Sequence, residues 1–235
     1  MTFPFDIIDI IDHGVVVFLS RFAKSSEVMN RLIVSGLGLG TFKLLPIVTC
    51  FWFLWFDSRF KDRIRVIQGF VGAFAAVSIS RIIQDLSHQR LRPLHSGDPA
   101  FVPPAGLDVT ILEHWSSFPS DHAAISFALS TAVFRASRPL GGACLLWSFF
   151  VVSFPRVYAG YHYISDIVAG AGIGISVVLI LEVARVAEKL SAFVSKLEKQ
   201  WTGLFYVAFF VLSYQTVTMF DDIRKSVAFL FQNMR

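Results

Sequence analysis

The chain has 235 residues, of which 54% are hydrophobic and 16% charged, and its mean hydropathy is +0.61. This composition excludes an ordinary soluble protein and indicates a single membrane-embedded domain. The net charge of +4 does not indicate nucleic-acid binding, because the basic residues lie in short segments between apolar runs.

The first segment, residues 1–30, predicts an interfacial helix that lies on the membrane. Apolar residues such as Ile8 and Ile11 recur near helical spacing, whereas Asp9 and Asp12 interrupt any run long enough to span a bilayer. We therefore expect this helix to precede the membrane spans.

Six apolar segments follow and predict an all-α, polytopic membrane helix bundle. Their approximate bounds are 32–56, 66–86, 120–134, 143–158, 165–181 and 201–220. Lys43 lies within the first segment, and we expect it to face other helices or to reach the membrane edge, since a charge against lipid is costly. The third segment is short, so we expect its start to lie inside the protein. The chain is then one domain, with a core at 32–185 and an additional span at 201–220.

The distribution of Lys and Arg among the connections predicts the orientation of the bundle. The connections at 57–65, 135–138 and 185–199 are basic and alternate to one side, which we expect to be cytoplasmic. The connections at 87–121 and 156–165 then share the opposite, extracytoplasmic side of a cell (inner) membrane, and so do both termini.

A trio of polar residues on that side indicates phosphate chemistry. Arg156, His162 and Asp166 follow one another as R-x5-H-x3-D. This spacing allows the carboxylate to hold one imidazole nitrogen while the other faces a substrate. The arginine can bind phosphoryl oxygens as charge develops. Alone the trio is generic, because histidine and arginine are common at a membrane edge.

Two further segments fall on the same predicted side. Arg90 and Arg92 can supply forked donors to phosphate oxygens, although a basic membrane anchor would look the same. Ser120, Asp121 and His122 precede an apolar helix, where backbone N–H groups and a hydroxyl form an anion pocket or simply an N-cap. Their convergence with the trio predicts one phosphoryl-transfer site.

Together these segments resemble the signature of the type 2 phosphatidic acid phosphatase superfamily, which is K-x6-R-P, then P-S-G-H, then S-R-x5-H-x3-D. Arg92 looks like the end of the first motif, and residues 119–122 look like the second with aspartate in place of glycine. Arg156, His162 and Asp166 match the third motif. The resemblance covers roughly residues 30–185.

The resemblance implies a membrane phosphatase that hydrolyses a lipid phosphate or prenyl diphosphate. It implies that His162 is the nucleophile that forms a phosphohistidine, that Asp166 orients it, and that His122 is a general acid and then a base. The implied phosphate ligands are Arg92, Ser120 and Arg156. Neither a metal nor another cofactor is implied, and the expected partners are the lipid substrate and membrane lipids rather than nucleic acid.

The chain departs from the family pattern at three positions. Asp85 stands where the family has its lysine, so we expect Arg81 or Arg90 to supply that positive charge. Asp121 replaces the glycine of the second motif, and Pro155 replaces the serine before the third. These changes leave two alternative functions open. The protein could be a lipid phosphotransferase, or a non-catalytic membrane protein that binds lipid phosphates.

Overall fold

The computed structural model describes residues 5–57, 63–113 and 115–221. Over these residues all the regular elements are helical, which confirms the predicted all-α fold. The α-helices are α1 (Phe5–Ser25), α2 (Glu27–Gly38), α3 (Leu45–Phe56), α4 (Arg63–Leu86), α5 (Asp121–Ala136), α6 (Arg138–Trp147), α7 (Phe154–Tyr158), α8 (Ile164–Val183), α9 (Val186–Gln200) and α10 (Thr202–Val217).

Three helices in the described part of the chain are long and apolar enough to cross a membrane. They are α4, α8 and the continuous helix Arg138–Tyr158, in which a π-helical segment, Ser148–Ser153, joins α6 to α7. The apolar helices α3 and α10 are shorter. The second, fourth, fifth and sixth predicted spans therefore all form helices in a membrane-type bundle.

The first predicted span, 32–56, is wrong as a single helix. The chain leaves α2 after Gly38, turns through a 3₁₀ segment at Thr41–Lys43, and enters α3 at Leu45. Glycine weakens the helix at the break, and Pro46 fits the first turn of α3. The Lys43 ammonium is buried and donates to the Leu37 carbonyl at 2.7 Å, which satisfies a group left open by the end of α2.

The N-terminal helix presents two different faces. Ile7 and Ile10 are exposed on the outer face, as in a helix that contacts lipid. Asp12 and Val16 are buried on the inner face, where α1 contacts α7 and α8. The interfacial position of residues 1–30 stays a prediction, and residues 1–4 lie outside the described chain.

Helix α5 lies at the centre of the bundle, packed against α4, α6 and α8. Small buried residues such as Ala124, Ala128 and Ala132 allow its neighbours to approach closely. Its N-cap residue, Ser120, is fully buried. The expectation that the third span begins inside the protein is confirmed.

Two glycines bring α8 against α5 with their backbones in contact. A Cβ atom at Gly170 would lie 2.2 Å from the Ser120 carbonyl oxygen, and one at Gly174 would lie 2.3 Å from the Ala124 carbonyl oxygen. The same approach allows the Ser120 N–H to donate to the Asp166 carbonyl at 3.1 Å. The second and third sequence motifs are thus fixed to each other by main-chain atoms.

Ion pairs gather at the other end of the bundle. Glu182, near the end of α8, accepts from Arg65 at 2.9 Å and from Arg135 at 2.7 Å. Arg63 donates to Glu198 of α9 at 2.6 Å. The basic connections therefore meet at the end remote from His162, although residues 58–62 lie outside the described chain. Which side of a membrane this end faces stays a prediction.

The glycine contact predicts that Gly170→Ala destabilises the protein by about 1–3 kcal/mol, the usual cost of overpacking. The added methyl group would overlap the backbone carbonyl of Ser120. A backbone atom cannot rotate out of the way as a flexible side chain can. Thermal unfolding in detergent measures the effect. The matched control is Gly172→Ala in the same helix, where a Cβ atom has no neighbour within 4 Å. Equal stability of the two variants would contradict the proposed contact.

Candidate active site

A cavity of about 440 Å³ lies where the end of α4, the start of α5 and the α7–α8 connection meet. Most of its lining side chains are polar or charged. The lining residues are Arg81, Gln84, Arg92, Leu112, Trp115, Asp121, His122, Arg156, His162 and Asp221. Five of the predicted site residues therefore meet in one cavity: Arg81, Arg92, His122, Arg156 and His162.

The imidazole of His162 has a defined orientation. The side chain is 2% exposed, and its Nδ1 lies 2.8 Å from the carbonyl oxygen of Ser117. Because a carbonyl oxygen only accepts hydrogen bonds, this contact assigns the proton to Nδ1. Nε2 then keeps its lone pair, which is the state that a nucleophilic histidine needs.

Asp166 lies beside His162 without a hydrogen bond to it. Its Oδ2 is 3.6 Å from His162 Nδ1 and instead accepts the backbone N–H of Tyr163 at 2.8 Å. The sequence predicts that the carboxylate orients the ring, whereas in the structure the Ser117 carbonyl makes that contact. Asp166 acts on the ring as a fully buried, nearby charge.

Arg90 lies outside the catalytic cavity. Its guanidinium donates to Asp166 at 2.7 Å and to Asp12 at 2.7 Å, and it lies over the ring of Tyr163 at 4.3 Å. Two carboxylates therefore occupy its donors. The structure does not bring Arg90 to the predicted phosphate site, because the Arg90 guanidinium binds Asp166 and Asp12 instead of lining the cavity.

Arg92 and Arg156 supply positive charge to the cavity in two different ways. The guanidinium of Arg92 is fixed by the backbone carbonyls of Trp115, Ser116 and Tyr161. Arg156 is only 5% exposed, and within the described residues its Nε has no hydrogen-bond partner. A buried cation with an open donor favours the binding of an anion.

Asp121 connects two residues of the cavity. Its Oδ1 accepts from His122 Nδ1 at 2.9 Å, and its Oδ2 accepts from Arg81. This one carboxylate therefore both holds the histidine and pairs with the arginine. The His122 ring therefore presents its other nitrogen, Nε2, to the cavity that it lines.

Ser120 does not line the cavity. Its hydroxyl is fully buried and accepts the Ala123 N–H at 3.4 Å, so it caps α5. Of the two alternatives that the sequence allows, the N-cap is the one that the structure shows. The hydroxyl is therefore not among the groups that line the cavity, and its contact with phosphate stays a prediction.

The structure shows that the Asp85 carboxylate is not part of the candidate phosphate site. This carboxylate is exposed and lies outside the lining of the cavity, whereas Arg81 is part of the lining and lies over the Trp115 ring at 5.0 Å. Gln84 holds the end of α4 in place through a 2.6 Å bond to the Pro119 carbonyl. Arg81 is thus the basic residue of α4 that lines the cavity, and its role in place of the family lysine stays a prediction.

Sequence reasoning missed two contributors to the site. Ser117 acts through its backbone carbonyl, which no side-chain pattern reveals. Asp12 reaches the site from α1, and the recurrence of acids at positions 6, 9 and 12 was the only signal that this helix has a polar inner face.

Comparison with known proteins agrees with this arrangement. Residues 88–189 match the model of the PAP2 superfamily. This part of the chain is similar to that superfamily. The resemblance predicted from the three motifs is therefore confirmed, and the matching residues, 88–189, contain Arg92, His122, Arg156, His162 and Asp166.

Two individual proteins are also similar to this chain. The bacitracin transport permease protein BcrC of Bacillus licheniformis is 30% identical over 123 residues, which are 52% of this chain. The match spans only 56% of that relative's length. The crystal structure of the first transmembrane PAP2 type phosphatidylglycerolphosphate phosphatase from Bacillus subtilis is 16% identical, covers 76% of this chain and 92% of its own, and has a TM-score of 0.48.

The placement of Arg81 predicts that Arg81→Gln weakens the binding of vanadate, a phosphate mimic, by about tenfold, the value of one charge-assisted hydrogen bond. Asp85→Asn is the matched control on the same helix and should leave binding unchanged, because that side chain lies outside the cavity. Equilibrium binding to the purified protein in detergent measures both. Tighter binding by the Asp85 variant would show that this carboxylate does repel the anion.

Proposed function

We propose that this protein hydrolyses a lipid phosphate or prenyl diphosphate through a phosphohistidine at His162, without a metal. The main support is that a buried imidazole with an unprotonated Nε2 shares a cavity with three arginines and a second histidine. A neutral nucleophile, a proton donor and several cations are the groups that such a reaction needs.

In the first step, Nε2 of His162 attacks the phosphorus atom and the bond from phosphorus to the leaving oxygen breaks. His122 donates a proton to that oxygen from Nε2, and Asp121 favours the doubly protonated ring against the opposing effects of burial and Arg156. The phosphorylated ring of His162 carries a positive charge, which the nearby Asp166 stabilises.

In the second step, water attacks the phosphohistidine and the P–N bond breaks. His122, now neutral at Nε2, accepts the proton of the water. The electron pair of the P–N bond returns to His162 Nε2, and inorganic phosphate leaves. Both histidines are then restored for another turnover.

The arginines stabilise the charge on the transferred phosphoryl group. Arg92 and Arg81 are held in place by protein oxygens, and Arg156 lines the cavity with a guanidinium whose buried Nε has no partner among the described residues. Because these groups are oriented before the substrate binds, little reorganisation accompanies the reaction. Their charges would supply the stabilisation that a metal ion gives in other phosphoryl-transfer enzymes.

The position of the cavity favours a lipid substrate. The cavity lies at the ends of α4 and α8, two helices of membrane-spanning length that carry exposed apolar residues such as Phe74 and Val168. A phosphorylated head group can therefore enter while its hydrocarbon chain stays in the bilayer. The positive-inside pattern favours the extracytoplasmic face of a cell membrane for this cavity.

His162→Ala is expected to lower kcat by about a thousandfold or more, because the nucleophile is lost. Phosphate release from a panel of prenyl diphosphates, phosphatidates and soluble phosphates measures this, with EDTA present throughout. The control is His88→Ala, since that histidine is exposed and lies outside the cavity. Activity that survives in the His162 variant would exclude the phosphohistidine, and activity that EDTA removes would exclude the metal-free mechanism.

The pH dependence should reflect the buried state of His162. Burial lowers the pKa of this imidazole below its ordinary value of 6.5, and Arg92 and Arg156 lower it further while Asp166 opposes them. The reactive form is the neutral ring, so a lowered pKa preserves activity below pH 6.5. The acidic limb of kcat/KM, corrected for ionisation of the substrate, should lie below pH 6.5. A limb above that value would contradict the assignment.

A further inference from the structure

We propose that Asp12 of α1 is a positioning residue for the reaction at His162, acting through Arg90 and Asp166. The proposal rests on the proposed function. It concerns a residue that lies outside 88–189, the part of the chain that matches the PAP2 superfamily.

The carboxylate of Asp12 is buried where α1 meets the start of α8. It is 2% exposed, and its Oδ2 accepts from Arg90 Nη2 at 2.7 Å and from the Ser165 hydroxyl at 2.5 Å. Its Oδ1 accepts the Ser165 N–H at 3.0 Å. A buried carboxylate with this many charged and polar partners is a built feature of the protein rather than a solvated charge on an amphipathic helix.

One guanidinium connects Asp12 to the catalytic pair. Arg90 donates to Asp12 through Nη2 and to Asp166 through Nη1, each at 2.7 Å. Asp166 is fully buried and lies 3.6 Å from His162. The chain of contacts from α1 to the nucleophile is therefore Asp12, Arg90, Asp166 and His162.

Asp12 acts on His162 through the net charge of the connected residues. The two carboxylates and the single guanidinium carry one net negative charge beside His162. When phosphorylation makes the imidazole positive, that net charge stabilises it. Without the charge of Asp12, Arg90 would neutralise Asp166, and the positive ring would lose most of this stabilisation. Asp12 thus offsets the charge of Arg90, so that the negative charge of Asp166 can stabilise the positive ring of His162.

Asp12→Asn keeps the shape of the side chain and removes its charge. We expect kcat to fall about tenfold while KM changes less than about twofold, because the lost interaction forms only as the ring becomes positive. Vanadate should bind about tenfold more weakly for the same reason. Asp9→Asn is the matched control: this residue is three positions earlier on α1 and 3.8 Å from Arg90, but its side chain is 71% exposed. It should leave kcat and vanadate binding unchanged.

A second variant separates charge from the docking of α1. Asp12→Asn combined with Arg90→Gln restores one net negative charge beside His162. The double variant leaves α1 with even fewer hydrogen bonds to the rest of the protein. If Asp12 acts by charge, the double variant has a higher kcat than Asp12→Asn alone. If Asp12 only holds α1 in place, the double variant is at least as impaired, and that result overturns the proposal. Thermal unfolding in detergent is followed for each variant.

The readouts also separate this proposal from the proposed function. Wild-type kcat and vanadate binding in Asp12→Asn would overturn the role of Asp12 while the phosphatase assignment stands. Weaker vanadate binding in that variant, with no phosphate release by the wild type from any substrate, would overturn the phosphatase and leave the role of Asp12 in place. A wild type that neither binds vanadate nor releases phosphate would overturn both.

Discussion

The main-chain contact between α5 and α8 holds the two halves of the candidate site together. His122 is at the start of α5, whereas His162 and Asp166 come from the connection before α8 and from its first turn. The two histidines could not keep their relative positions if side chains held α5 and α8 apart, and Gly170 and Gly174 carry no such side chains. A bundle held only by interdigitated side chains would allow small shifts that a reaction in a cavity of about 440 Å³ would not tolerate.

Four arginines lie near the site. Three of them are bonded to protein oxygens, and the fourth has a donor without a partner among the described residues. Carboxylates hold Arg90 and Arg81, and backbone carbonyls hold Arg92. Arg156 has an open Nε among the described residues. This division explains how several cations can lie close together before an anion arrives: fixed protein oxygens offset much of their mutual repulsion.

Much of the fold and of the site could be predicted from sequence, because hydropathy marks each apolar helix and the R-x5-H-x3-D spacing marks the third motif. The rest depends on three-dimensional contacts. Ser120 and Arg90 have suitable side chains for phosphate, but the helix start uses the serine and two buried carboxylates use the arginine. The break before α3 escaped prediction because hydropathy records polarity and not the glycines that end a helix. Asp12 escaped because its partners are far away in the chain.

Asp121, which stands where the family pattern has glycine, makes two positions of this site depend on each other. One carboxylate now serves both Arg81 and His122, so its presence and the arginine's position depend on each other. A change from aspartate back to glycine would leave a partly buried guanidinium without its acceptor and a histidine without its orienting group. The positive charge on α4 and the acid at the start of α5 therefore depend on each other, and a substitution that removes either one leaves the other without its partner.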